Sequence, residues 1–156
     1  MKQAYILKNP NSFDLIHIFE CGQCFRWNRQ EDDSYIGIIK NRVIKIKKDN
    51  NDYIFFSNEN TDLEECINEY FDLNTDYEKI KNKLSSIDEN LKLSIEYGNG
   101  IRILKQDIWE CIISFIISAN NNIPRIKKII ANLAFNYGKK VSFNNKEYYL
   151  FPTPEE

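Results

Sequence analysis

The stretch SYIGIIKNRVIKIKKDNNDYIFFS (Ser34–Ser57) decides the fold class. It holds the short runs SYIGIIK, VIKIKK and DYIFFS, rich in β-branched and aromatic residues and separated by polar turns such as KNR (40–42). Runs of this length and composition read as strands, and their close succession reads as hairpins. VIKIKK sets Val43, Ile44 and Ile46 against Lys45 and Lys47, an alternation that predicts one solvated sheet face. Upstream, CFRWNR (24–29) precedes the polar turn QEDD (30–33), and AYILK (4–8) lies earlier still. The N-terminal part is therefore expected to be an antiparallel meander.

From Thr61 onward the period becomes helical. TDLEECINEYF (61–71) opens with Thr61 three residues before Glu64, the spacing of a capping box. TDYEKIKNKLSS (75–86) and DENLKLSIEYG (88–98) are amphipathic, the second closing at Gly98 as a C-cap would. In QDIWECIISFIIS (106–118), Trp109, Ile112, Ile113, Ile116 and Ile117 recur at helical spacing and are expected on one buried face. IPRIKKIIANLAFNYG (123–138) repeats the pattern with Ile126, Ile129, Ile130 and Leu133 and closes at Gly138. The last segment, KKVSFNNKEYYLFPTPEE (139–156), reads as a loop or short strands followed by a proline-marked helix start. Strands followed by helices predict an α+β protein.

At 156 residues, 42% hydrophobic and 13% aromatic, the chain can form a packed core. It contains no apolar run of about 18 residues, and its first residues, MKQAYILKNPNSFD, lack a signal peptide's apolar stretch. A soluble cytoplasmic protein is expected, nucleoid-associated in a prokaryote, with no membrane partner. A formal charge of −2 at pH 7 argues against dominant nonspecific nucleic-acid binding, while leaving room for a local basic face.

Between the two most apolar helices lies FIISANNNIPRI (115–126), where three asparagines interrupt the pattern before Pro124 and Arg125. They form either a polar joint or a set of donors and acceptors aimed at a ligand. The chain is rich in Asn, Ile and Lys throughout, so composition alone favours the joint. The basic run RIKK (125–128) opens the second helix, where free backbone N–H groups favour phosphate. KNRVIKIKK (40–48) is instead expected to be a solvated sheet face.

CGQC (21–24) is a C-x-x-C, the signature of a zinc half-site or a redox dithiol. No second Cys pair exists, and FRW follows with strand character, so a tight turn centred on Gly22 is the favoured reading. His17, the single histidine, lies among apolar neighbours in DLIHIFE without a nucleophile at a useful spacing, and is expected to be packed or on the surface. P-loop, dinucleotide-binding and nucleophile-elbow patterns are absent.

Three segments together resemble the 8-oxoguanine DNA glycosylase family of the helix-hairpin-helix superfamily. CGQCFRW (21–27) resembles that family's S-G-Q-S-F-R-W, with cysteines replacing the serines. EYFDLNTDYEKI (69–80) resembles its Y-F-x-L-D segment, and GIRILKQDIWECIISFIISANNNIPRI (100–126) resembles its long G-[VI]-R-[LI]-L-R-Q-D…S-x-N-N-N-I-x-R-I motif. YYLFPTPEE (148–156) echoes the Y-x-x-F-P-[ST] before the family's next helix.

The resemblance implies an antiparallel sheet with flanking helices, a TATA-binding-protein-like N-terminal domain over residues 1–100. The first helices of an all-α helix-hairpin-helix domain would follow over 101–156. It implies excision of 8-oxoguanine opposite cytosine in duplex DNA by a monomeric glycosylase/AP lyase that needs no cofactor or metal. Gly22 matches the glycine whose backbone carbonyl accepts the N7–H of 8-oxoguanine, a donor that guanine lacks. Asn120 and Arg125 match the pair that contacts the cytosine left behind, and Asn121 and Asn122 are assigned to the joint. The family's lysine nucleophile and assisting aspartate belong to a glycine-rich hairpin that this sequence does not contain, so the chain alone is expected to be inactive. The alternatives are a non-catalytic nucleic-acid or protein binding module and, more remotely, a C-x-x-C metal protein.

Overall fold

The computed structural model describes residues 5–156. The meander is present as β2 (Asn28–Arg29), β3 (Tyr35–Ile39), β4 (Arg42–Asp49) and β5 (Asp52–Ser57). β1 (Tyr5–Leu7) pairs with the free edge of β5, giving the order β1-β5-β4-β3-β2, antiparallel throughout. Ala4, the first residue of the AYILK run, lies outside the described residues. CFRWNR yields only Asn28 and Arg29 as strand because Trp27 turns into the core instead. Its ring is 2% exposed and stacks on Phe19 with centroids 4.2 Å apart. The indole N–H donates to the Tyr70 hydroxyl at 2.9 Å. Gly37 makes room for this ring: a Cβ there would sit 2.4 Å from the indole.

α1 (Leu15–Phe19) and α2 (Leu63–Tyr70) cover one face of the sheet, burying Ile18, Phe19 and Ile67 with Ile44, Ile46 and Phe55. The opposite face is only partly solvated, as the Lys45/Lys47 alternation predicts: Lys47 is exposed, but the part around Val43 is covered. A hairpin of β6 (Lys140–Phe143) and β7 (Lys146–Tyr149) places Phe143 against Ile36 and Val43, with Ile38, Phe56, Val141 and Tyr148 packed alongside. The alternation itself holds, since Val43 serves this second cluster while Ile44 and Ile46 serve the first. Lys45, mid-strand in the central β4, is largely covered and pairs with Asp32 at 2.9 Å. Asn144 and Asn145, both at positive φ, supply the turn that matches the right-handed twist of the hairpin.

Four further helices follow α2 or flank the hairpin: α3 (Tyr77–Ser85), α4 (Glu89–Tyr97), α5 (Ile108–Ser118) and α6 (Ile123–Tyr137). Gly98 and Gly138 sit at the C-caps of α4 and α6, as their spacing predicts. The capping box at Thr61 does not form. Asp62 occupies the cap in a left-handed conformation, and the Thr61 hydroxyl and N–H both turn back to Glu59. At the far end, the Glu156 carboxylate accepts from the Thr153 N–H while the Glu156 N–H donates to the Thr153 carbonyl, the geometry of a helical first turn.

The expectation of one buried face on α5 is corrected. Ile112 and Ile116 are 48% and 62% exposed, Trp109 is at the exposed margin, and only Ser114 is fully buried. α5 is apolar around most of its circumference, so packing on α6 covers Ile113 and Ile117 only partly and leaves the rest uncovered. α6 is better seated, with Ile126, Ile130 and Ala134 buried. α3 and α4 bury no residue, and Ile80, Leu84, Ile87 and Leu93 remain exposed. No helix among the described residues is long and apolar enough to cross a membrane.

Candidate nucleic-acid interface

Gly22 occupies a bend between the end of α1 and Trp27, at φ +87. That angle lies in the left-handed region that favours glycine, so backbone conformation requires the residue. No atom lies within 4 Å of where its Cβ would be, so no neighbouring backbone fills that side and the space is open to a ligand. Among the described residues no donor bonds the Gly22 carbonyl and no acceptor takes the Gln23 N–H. The peptide plane between them therefore presents both of its polar groups.

The residues around that plane are tied down. The Gln23 amide donates to the Ile18 carbonyl at 2.9 Å and to the Arg102 carbonyl at 2.8 Å, and its oxygen accepts from the Leu104 N–H at 3.0 Å. The Gln106 amide donates to the Gln23 main-chain carbonyl at 2.7 Å. Arg26 pairs with Glu110 on α5 at 3.2 Å and donates to the Tyr149 carbonyl on β7. Lys127 on α6 donates to the Trp27 carbonyl at 3.1 Å. The turn is thus fastened to α1, to the 102–106 segment, and to both helices that flank the asparagine joint.

Arg102, whose carbonyl accepts from the Gln23 amide, is itself anchored through its side chain. It is 5% exposed, donates to the carbonyls of Ser12 at 3.0 Å and Asp72 at 2.7 Å, and lies 4.4 Å from the Tyr77 ring centroid. Carbonyl oxygens and a π face compensate the buried cation without a direct carboxylate partner, and burial lowers its pKa.

At the joint, Asn121 and Asn122 are consumed by local structure. The Asn121 amide donates to the Ile117 carbonyl at 3.0 Å, and its oxygen accepts from the Asn122 N–H at 3.0 Å. Asn122 is the N-cap of α6, its side chain accepting from the Arg125 N–H at 3.1 Å. Asn120 sits at φ +51, a conformation asparagine tolerates. Its amide and the Arg125 guanidinium are exposed and have no side-chain partner among the described residues. Of the RIKK run, Lys127 is absorbed by the Trp27 carbonyl, whereas Lys128 is exposed.

The remaining sequence features resolve into structure. Cys24 is buried, and burial pushes its thiol up to about 12, opposite to what a reactive dithiol requires. All four cysteines are free, and no group of metal-ligating side chains occurs among the described residues. His17 accepts from the Gly100 N–H through Nδ1 at 3.1 Å, a structural link between α1 and the 100–106 segment. The sequence carries no signal for the parts that Gln23, Gln106 and Glu110 play here, and it marks Lys127 only as one of the basic residues of RIKK, not as a tie to the Trp27 carbonyl. Gln23 lay in plain view within CGQC, but its partners are about eighty residues distant and no local pattern points to them.

The sequence model described as the N-terminal domain of 8-oxoguanine DNA glycosylase matches residues 5–112. The chain belongs to that family. The N-glycosylase/DNA lyase of Saccharomyces cerevisiae is 31% identical over 95% of this chain and 43% of its own length. The apo structure of the Clostridium acetobutylicum 8-oxoguanine glycosylase/lyase superposes with a TM-score of 0.92 at 47% identity, covering 98% of this chain and 53% of that one. The same enzyme in complex with double-stranded DNA containing cytosine opposite 8-oxoguanine gives a TM-score of 0.92, again over 98% of this chain and 52% of that one. The chain therefore spans about half the length of these family members. Their α+β architecture is the one described above.

Proposed function

We propose that this chain is the lesion-reading portion of an 8-oxoguanine DNA glycosylase/AP lyase acting in base-excision repair on 8-oxoguanine paired with cytosine. The observation that carries this reading is the likeness, at 47% identity over nearly the whole chain, to a glycosylase/lyase solved on such a duplex. The Gly22 carbonyl accepts the N7–H of a flipped 8-oxoguanine. Guanine offers N7 as an acceptor instead, and two facing acceptors cost about 1–3 kcal/mol. Asn120 and Arg125 hydrogen-bond the exposed edge of the estranged cytosine, which their unspent side chains support. RIKK at the start of α6 lies where a DNA phosphate is favoured. The protein works as a monomer on duplex DNA without a cofactor, with residues 1–100 as the reading domain and 101–156 opening the helical one.

Excision requires a lysine nucleophile and an aspartate from a helix-hairpin-helix that this chain does not supply. The uncovered apolar surfaces of α3, α4 and α5 support this assignment, since a helical remainder of the family's length would have them to pack on. Borohydride trapping on an 8-oxoguanine·cytosine duplex is expected to give no covalent adduct with this chain. An adduct would overturn the placement of the nucleophile. Fluorescence anisotropy is expected to show tighter binding to that duplex than to its guanine·cytosine counterpart. Equal affinity would overturn lesion reading in favour of a plain binding module.

A further inference from the structure

We propose that Gln23 and Gln106 are positioning residues that fix the polarity of the Gly22–Gln23 peptide plane, and that this fixing sets the preference for 8-oxoguanine over guanine. The inference rests on the reading that the Gly22 carbonyl meets the base. That plane carries an acceptor on one edge, the Gly22 carbonyl, and a donor on the other, the Gln23 N–H. Neither is held by a partner among the described residues. A glycine on one side makes the plane easy to rotate, because φ and ψ of Gly22 are little restricted by sterics. Rotation by about half a turn would exchange the carbonyl for the N–H. The exchanged plane would offer a donor to N7, which is what normal guanine accepts and 8-oxoguanine does not.

What opposes rotation is on the Gln23 side. The Gln23 amide spends both donor hydrogens, on the Ile18 and Arg102 carbonyls, and accepts from the Leu104 N–H. This anchors the side chain to two separate segments. The Gln106 amide grips the Gln23 carbonyl, which fixes the next peptide plane. Turning the preceding plane by half a turn changes ψ of Gly22 and φ of Gln23 together. It would carry Gln23, which is not at positive φ, into that region, where a residue with a Cβ is strained. With its side chain and its carbonyl both held, Gln23 cannot turn as a whole to relieve that strain. The arrangement leaves the plane unbonded for the base while denying it the freedom to flip. Specificity then comes from residues that touch no DNA.

Gln106 is the residue to test, because it is only partly buried and its removal leaves the Gln23 side-chain bonds in place. Gln106→Leu removes the donor, and Gln106→Lys keeps one within reach of the Gln23 carbonyl. The Gln106→Leu chain should lose about tenfold in the ratio of affinities for 8-oxoguanine·cytosine over guanine·cytosine duplexes. Binding to undamaged duplex should hold or improve, the unfolding midpoint should fall by no more than the loss of one hydrogen bond accounts for, and Gln106→Lys should restore both the ratio and the midpoint. In the DNA-free chain, relaxation dispersion at the Gln23 and Cys24 amides should appear in Gln106→Leu and be absent in wild type and Gln106→Lys. A wild-type preference that Gln106→Leu leaves intact overturns the clamp alone, as does a silent Gln23 amide in that variant. A wild-type chain that binds both duplexes alike overturns the lesion reading and the clamp's part in it together.

Discussion

At the Gly22 turn the side chains work inward. Gln23, Arg26 and Trp27 spend their polar groups on Ile18, Arg102, Leu104, Glu110 and Tyr70, and what remains outward is a bare peptide plane. At the asparagine joint the arrangement reverses, because Asn121 and Asn122 close the backbone and leave Asn120 and Arg125 extended into solvent. Under the proposed function the turn must reject guanine by one hydrogen-bond polarity, a task suited to a rigid main-chain group, since the backbone cannot change rotamer. The joint would have to find the edge of an unpaired cytosine, a task suited to longer, adaptable side chains. The first region couples reading to stability, and the second separates them.

The largest expected effect breaks the turn at its root. Trp27→Ala should cost about 3–5 kcal/mol of stability by urea denaturation, since it empties a site between Phe19, Gly37 and Tyr70 and orphans the Tyr70 hydroxyl. Asn120→Ala in parallel should lose no more than about 1 kcal/mol, the cost of alanine at a φ of +51 that asparagine tolerates, since nothing packed is removed. Comparable losses in the two variants would end the contrast between the regions.

Next comes Arg125→Ala. It should weaken binding to 8-oxoguanine·cytosine by about 1–3 kcal/mol and shrink the advantage of cytosine over adenine opposite the lesion. The unfolding midpoint should not move, because the guanidinium has no partner among the described residues. If the melting temperature falls instead while opposite-base preference survives, Arg125 belongs to the scaffold.

Gly22→Ala separates conformation from space. No atom would obstruct the added methyl, but φ +87 makes an alanine there cost about 1–2 kcal/mol. The variant should be modestly less stable and should lose its preference for 8-oxoguanine, because relaxation of the strain turns the peptide plane. A variant that keeps wild-type stability would show that the free chain does not hold this angle.

Much of this was legible in the sequence, and the gaps share a cause. Strand and helix periods marked β1 to β5 and α2 to α6, but α1, five residues within DLIHIFE, is too short to show a period. The expectation that Asn121 and Asn122 form the joint agrees with their local hydrogen bonds. The cover over part of the second sheet face has no local signal, because Lys45 and Lys47 report solvent exposure only at their own positions, while Phe143 reaches Val43 from a hairpin about a hundred residues away. α5 was misjudged because an apolar stripe reveals the wish for a partner and not whether one is present. The Gln23–Gln106 clamp was invisible because hydrogen bonds between distant segments leave no periodic trace.

The smallest effect concerns the ion pair that joins the turn to α5. Burial raises the Glu110 carboxyl above its ordinary 4.5, an effect that Arg26 opposes but does not cancel. A carboxyl with a raised folded pKa binds its proton more readily in the folded chain. Between 4.5 and the raised value the folded state therefore carries more protons than the unfolded one, and stability falls as pH rises. The contribution is complete below 4.5 and gone above the raised value. Glu59, Glu69, Glu78 and Glu156 are shifted the other way, so their contributions change below 4.5 and leave the upper window to Glu110. Glu110→Gln keeps a polar partner for Arg26 and cannot ionise, so calorimetric melting temperatures should fall less steeply with pH above 4.5 than in wild type. Equal slopes would mean that Arg26 holds Glu110 charged throughout. The turn would then be fastened to α5 by a full ion pair rather than by one that weakens as its carboxyl gains a proton.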